Sequence, residues 1–189
     1  MAMSRASPGT LDPARGMTVR CSAHERRSGS SGGVRRYPPD MRTQHIGAAG
    51  ELLVQYQLLK MGIDSSRMTI DAGIDLVVYA PGTRTASTVQ VKTIMGAKPA
   101  GGRGALSRGW FFPDNCPAQL LAFVTLDTNT AWLFTLQEAQ ELAQQHSQAG
   151  NYQVYWRVKA VPVGSKSRRH EAQMDGYLLA TKAAQLFPS

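Results

Sequence analysis

Residues 73–92, "GIDLVVYAPGTRTASTVQVK", decide the reading of the fold. An apolar run from Ile74 to Ala80, a turn in "PGTRTAS" (81–87) and a second β-rich run from Thr88 to Thr93 spell a β-hairpin. Side chains alternate across a strand. Ile74, Leu76 and Val78 therefore join Val89 and Val91 on an apolar face, while Asp75 shares a face with Val77 and Tyr79, and Gln90 and Lys92 share one with Thr88. In-register pairing gathers Asp75, Gln90 and Lys92 on one side of the sheet. Strand propensity alone gives no reason for a polar trio there.

Upstream lies "TQHIGAAGELLVQYQLLKMG" (43–62), rich in helix formers, with Thr43 placed to cap its start and Gly62 to stop it. Ala49, Leu52, Leu53, Tyr56 and Leu59 recur at near-helical spacing and are expected to form the buried stripe. Glu51 sits beside that stripe, in a segment of small residues (Gly47, Ala48, Ala49, Gly50) that lets the helix approach a sheet closely. A short extended piece is expected near Met68–Ile70. Downstream of a Gly-rich loop, "QLLAFVTL" (119–126) and "AWLFTL" (131–136) read as strands around the turn "DTNT". A helix over Leu136–Gln148, closed by Gly150, a strand in "YQVYWRV" (152–158) and a final helical piece, "GYLLATKAAQLF" (176–187), complete the pattern. This order describes a mixed α/β layer around one central sheet.

A chain of 189 residues allows one domain of ordinary size plus a tail. Residues 1–40, with "RRSGSSGGVRRYPPD", are rich in Arg, Ser, Gly and Pro without a sustained apolar period, and are expected to be disordered. Met41 opens the ordered pattern so cleanly that translation could begin there. Cys21 and Cys116 have no close histidine partner, which suggests neither a disulfide framework nor a zinc site and fits a reducing cytoplasm. No run approaches the roughly 18 apolar residues that span a bilayer, so a soluble, cytoplasmic protein with no membrane partner is expected.

The net charge of +8 favours polyanionic partners. Seven arginines face three acids in residues 1–40, leaving the remainder with 14 basic against 10 acidic residues and only a mild surplus. That surplus is clustered. Lys98, Arg103 and Arg108 occupy an acid-free, Gly-rich stretch, and Arg157, Lys159, Lys166, Arg168 and Arg169 form a second group. Either group could be a solvated loop or a surface that tracks phosphates.

The polar trio has the chemistry that phosphodiester hydrolysis needs: charge neutralisation in the transition state, activation of a water, and stabilisation of the leaving oxygen. Mg²⁺ serves these needs when held by one or two side-chain oxygens, and Mn²⁺ could substitute. Asp75 would supply the anionic ligand, Gln90 an amide oxygen, and Val91 its backbone carbonyl. Lys92 would orient or help deprotonate the water, or stabilise charge on phosphate. Glu51 could bind metal through water or serve as general base. Asp71 could line the same pocket, though a turn role beside Gly73 is favoured. Taken singly, Asp75 as a strand-entry residue satisfying backbone amides, Lys92 as an edge lysine and Gln90 as a solvated strand position are the simpler readings.

The order "GAAGE" on a first helix, then "GIDLVV", a turn and "VQVKT" resembles the PD-(D/E)XK nuclease superfamily, most closely its small prokaryotic endonucleases akin to group I intron homing enzymes. The resemblance covers roughly residues 41–150. It implies a restriction-endonuclease-like mixed central sheet flanked by helices in αβββαβ order and a nuclease domain over residues 41–160, after which a basic loop and a C-terminal helix packing on the core are expected over 161–189. It implies catalytic roles for Glu51, Asp75, Gln90 and Lys92, Mg²⁺ as cofactor, DNA as substrate and self-association. Two positions depart from the pattern: Ile74 stands where the name-giving proline would be, and Gln90 replaces a carboxylate. The second change weakens metal affinity and leaves a catalytically weak or inactive DNA-binding module as the alternative. His45, His146 and His170 are not expected to catalyse. Trp110, Phe111 and Phe112 in "GWFFPDNCP" are read as a core-sealing cluster rather than a base-stacking one.

Overall fold

The computed structural model describes residues 42–69, 72–80, 85–102, 104–159 and 169–188. The tail of residues 1–40, Met41, Asp71, part of the 81–87 turn, Arg103, Lys166 and Arg168 lie outside the described residues.

Among the described residues nine strands form two sheets. The central sheet has the order β1 (Asp64–Arg67), β2 (Leu76–Tyr79), β3 (Ala86–Ile94), β6 (Leu120–Thr125), β7 (Thr130–Thr135). Its pairs are antiparallel except β3–β6, which is parallel, with Val89 opposite Leu120 and Lys92 opposite Phe123. The second sheet is antiparallel throughout, in the order β4 (Lys98–Pro99), β5 (Leu106–Pro113), β9 (Asn151–Arg157), β8 (Gln145–Ser147). The central sheet is thus mixed, as expected. However, the crossover from β3 to β6 runs through β4, a 3-10 turn and β5 rather than a helix, and a second sheet accompanies the single one read from the sequence.

Helix α1 (Thr43–Leu59) and helix α3 (Leu179–Leu186) cover one face of the central sheet. There Val54, Leu58, Leu76, Val78, Val89, Val91, Ala122, Val124, Leu133 and Ala183 make an aliphatic core. On the other face the second sheet, α2 (Leu136–Leu142) and a 3-10 segment (Glu171–Tyr177) enclose an aromatic core around Trp110, Phe112, Phe123, Trp132, Phe134 and Trp156. Strand β6 is buried on both faces because alternate residues serve the two cores. The indole of Trp110 stacks on Phe123 at 5.2 Å and donates to the carbonyl of Val124 at 3.0 Å, so the sheets are joined by packing and a satisfied polar tip.

Several local expectations change. Arg42, not Thr43, occupies the N-cap of α1, in an extended conformation and without a side-chain cap bond. The buried side of α1 is Gly50, Val54 and Leu58, whereas Leu52, Tyr56 and Leu59 are 56, 59 and 64 % exposed. Gly50 decides this rotation: a Cβ there would lie 1.9 Å from the Thr93 hydroxyl oxygen on β3, so the helix backbone rests directly on the sheet. The extended piece expected near Met68–Ile70 is β1, several residues earlier. Ile74 precedes β2 and packs toward the aromatic core instead of joining Leu76. Helix α2 begins with a capping box between Thr135 and Glu138 but ends at Leu142. Residues 145–147 leave it to pair with β9, and Gly150 (φ 73°) serves the β8–β9 turn rather than a helix end.

Candidate active site

Asp75 stands just ahead of β2 with its backbone locked on both sides. Its N–H donates to Val89 at 2.9 Å and its carbonyl accepts from Met68 at 2.9 Å. The side chain turns to β3, where Oδ2 accepts the N–H of Val91 at 2.6 Å. Gln90 and Lys92, opposite Leu121 and Phe123 in the parallel register, face the aromatic side of the central sheet. Gln90 is 4 % exposed and its Oε1 accepts from the Cys116 thiol at 3.5 Å. Gly73, at φ 82°, closes the other side: a Cβ there would meet Pro117 at 3.0 Å and the Gln90 amide nitrogen at 3.5 Å. Lys92 is half-buried and has no ion pair among the described residues.

Electrostatics tie these groups together. Burial pushes the Cys116 thiol up, the Ala118 backbone and the Lys92 charge pull it down, and the Asp75 charge pushes it up again. One buried thiol therefore feels both the acid and the amine, and touches the amide between them. Asp75, Gln90, Lys92 and Cys116 form one cluster. Sequence reasoning misses Cys116 because it weighs the residue only as a disulfide partner or a metal ligand. Its signal was its place before β6, the parallel neighbour of β3, together with the strong tendency of a free cysteine to be buried.

Glu51 is placed differently. It lies on α1, over the aliphatic face, and its Oε2 is held by Arg67 Nη2 at 2.6 Å and Nε at 2.7 Å. No hydrogen bond or ion pair joins it to Gln90 or Lys92 among the described residues. Val91 enters the cluster through its N–H. Lys98 is exposed on β4.

Arg108 corrects the reading of a basic loop. It is 2 % exposed, inside β5, and is consumed by the fold. Its guanidinium reaches Asp127 at 3.0 Å, Glu171 at 2.7 Å and the Thr125 hydroxyl at 3.3 Å. The aromatic triplet also divides by alternation: Trp110 and Phe112 are 1 % exposed in the core and Phe111 is 58 % exposed. His146 pairs with Asp114 at 3.3 Å at the surface, apart from the cluster.

A divalent cation can be tested against these donors. They are hard oxygens, one carboxylate and one amide, each with one position already bonded to Val91 or Cys116. No group of three or more His, Cys, Asp or Glu capable of holding a metal occurs among the described residues. A carboxylate beside an amide oxygen fits an ion such as Mg²⁺, which keeps waters and takes phosphate oxygens from its substrate.

The fold resembles that of a solved bacterial homing endonuclease, I-Ssp6803I. The match covers 78 % of this chain and 99 % of that chain, at 15 % sequence identity and a TM-score of 0.51. The likeness is one of fold. No family model matches the sequence, and a comparison with curated proteins gives no match. No helix among the described residues is long and apolar enough to cross a membrane.

Proposed function

We propose that this chain is a Mg²⁺-dependent DNA endonuclease of the PD-(D/E)XK type, acting in the cytoplasm and hydrolysing phosphodiesters by water attack. The observation that carries the reading is the cluster itself: an acid fixed on the Val91 N–H, a buried amide, and a lysine with no ion pair, gathered on a homing-endonuclease-like fold. Asp75, Gln90 and the Val91 carbonyl would hold the ion. When bound, it supplies positive charge to the phosphate and makes water a nucleophile at neutral pH.

The protein groups do the rest. The bond from the Val91 N–H to Oδ2 fixes the orientation in which the Asp75 carboxylate would meet the ion. Gln90, enclosed by Cys116, Gly73 and Pro117, keeps its amide oriented at the cost of a shared lone pair. Lys92 holds the attacking water or a non-bridging oxygen, where negative charge grows in the transition state. Glu51 commits Oε2 to Arg67, so a part in the site would fall to Oε1.

Plasmid cleavage with Mg²⁺ or Mn²⁺ tests this. The parent protein should cut, and Asp75→Ala or Lys92→Ala should lower the rate at least about 100-fold with the fold retained. Undiminished cutting by Lys92→Ala would sink the proposal. A second reading, a DNA-binding module without catalysis, draws on the internal partners of Gln90 and Glu51, and it requires DNA affinity with no cutting by the parent. RNA and junction substrates belong in the same assay.

Cutting both strands of a duplex needs two sites, so self-association is part of the proposal. Leu52, Tyr56 and Leu59 form an exposed apolar stripe on α1 suited to a second copy. Leu52→Glu with Tyr56→Glu should shift the protein to monomer in sedimentation.

A further inference from the structure

The sheet that the sequence hid has two unlike faces. Its inner face carries Trp110, Phe112, Val154 and Trp156 into the aromatic core. By alternation and register its outer face presents Lys98, Phe111, Gln145, Gln153, Tyr155 and Arg157. Among the described residues these strand positions carry no carboxylate. Among the described residues the side chains of Lys98, Gln145, Gln153 and Arg157 make no hydrogen bond or ion pair, in contrast to Arg108 on the inner side. We propose that the outer face of β5 and β9 lies in the major groove of duplex DNA and reads base edges. The proposal rests on the reading of DNA as the substrate.

Charge and chemistry choose the occupant. An acid-free face with two cations suits a polyanion. Amide side chains pair with adenine and the guanidinium fork with guanine, each through the major groove, while the Lys98 ammonium answers the phosphates. Spacing along the strands agrees as well: same-face residues about 6.8 Å apart match two base-pair steps of about 3.4 Å.

Gly109 sits in the middle of this face, opposite Tyr155, and forms part of the floor of a hollow of about 350 Å³ beside Lys98 and Gln153. A glycine inside a strand marks a place where a ligand can come close to the backbone. A second hollow of about 370 Å³ is lined by Gly109 and Phe111 of β5 and by Thr93 and Ile94 of β3, the residues directly after Lys92. This hollow links the edge of the reading face to the end of the strand that carries Lys92.

The test uses the full chain and a random-sequence duplex library, with selection of bound DNA, binding by anisotropy across salt, and cleavage measured in parallel. The parent should enrich a sequence motif. Gln153→Ala and Arg157→Ala should each lose tenfold or more of the discrimination at one or two positions of that motif. Arg157→Lys keeps the charge but loses the fork, and should keep affinity while losing discrimination, which covers the case in which an alanine variant fails to fold. Lys98→Ala should weaken binding to all sequences alike and reduce the salt slope by about one.

A motif unchanged in all the Gln153 and Arg157 variants overturns the reading of this face while leaving a cutting nuclease intact. A parent that binds no duplex, binds RNA alone, or enriches no motif overturns it too. A motif that the variants lose, in a parent that does not cut, supports the face and removes the nuclease instead.

Discussion

Strands β3 and β5 each carry one basic residue into the space between the two sheets, and the two residues have opposite fates. Arg108 on β5 is 2 % exposed, and two carboxylates and a hydroxyl use up its hydrogen-bonding fork. Lys92 on β3 is half-buried, beside Asp75 and Gln90, with no ion pair among the described residues. A guanidinium already matched by the fold has nothing left for a phosphate. An amine held near an acid but not spent on it does. In the sequence Lys92 reads as a site residue and Arg108, in an acid-free stretch, as part of a solvated loop or a surface that tracks phosphates; the acids that claim Arg108 lie outside that stretch.

The sharpest way to break this contrast is to delete each charge and measure unfolding in urea. Arg108→Ala strands Asp127 and Glu171 beside a buried gap and should cost about 3–5 kcal/mol. Lys92→Met should change stability by no more than about 0.5 kcal/mol while abolishing cleavage. Equal losses of stability in the two variants would make Lys92 a structural residue like Arg108.

A second, smaller effect sharpens how β3 is held. Gly50→Ala drives a methyl into Thr93, one residue past Lys92, and overpacking of this kind costs about 1–3 kcal/mol. The gain in helix propensity, about 1 kcal/mol, offsets only part of it. Gly47, with nothing within 4 Å of its added Cβ, is the control, and Gly47→Ala should be stabilising by up to about 1 kcal/mol. Cleavage should fall in the first variant and not in the second, because only Gly50 presses on the strand that carries Lys92.

Those glycines also explain what the sequence made legible. The β2–β3 hairpin and the β6–β7 hairpin could be read because period-two alternation and a turn sit within one short window, and the proposed site inherits its register from the first of them. The stripe on α1 was misread because hydrophobicity marks Leu52, Tyr56 and Leu59, while the contact that orients the helix is made by a residue with no side chain. Strand β5 was read as a loop because Gly109 and Arg108 interrupt its apolar alternation. One is a gap on the outer face and the other is neutralised by acids far along the chain. Strand β8 was absorbed into α2 because its polar residues fit an exposed helix as well as an edge strand. In each case the deciding partner is distant in sequence and silent in local pattern.

The smallest expected effect separates the two acids that hold Arg108. Burial alone would raise the Asp127 carboxyl, but the Thr125 hydroxyl, the Arg108 guanidinium and the Ala97 backbone outweigh it and hold the group below its ordinary value. Ionised Asp127 is therefore favoured by the fold. Its contribution is present above the ordinary aspartate range and is lost as pH falls through the depressed native pKa. Glu171 goes the other way. Although its Oε2 lies 2.7 Å from Arg108 Nη1, burial dominates, Asp127 and Asp175 add repulsion, and the group is raised. Its neutral form is favoured by the fold, so the stability it gives is full below the ordinary glutamate range and lost as pH rises through the raised native pKa. At neutral pH Asp127→Asn should lose about 1 kcal/mol, discounted for its partial exposure, whereas Glu171→Gln should be unchanged or slightly more stable. Both differences should shrink in acid, that of Glu171 first, as pH falls through its raised pKa, and that of Asp127 only lower, through its depressed one, as read from urea midpoints over a pH series. A Glu171→Gln loss as large as that of Asp127→Asn at neutral pH would mean that Arg108 needs two charges rather than one. The contrast with Lys92 would then rest on the count of acids around each cation, not on burial.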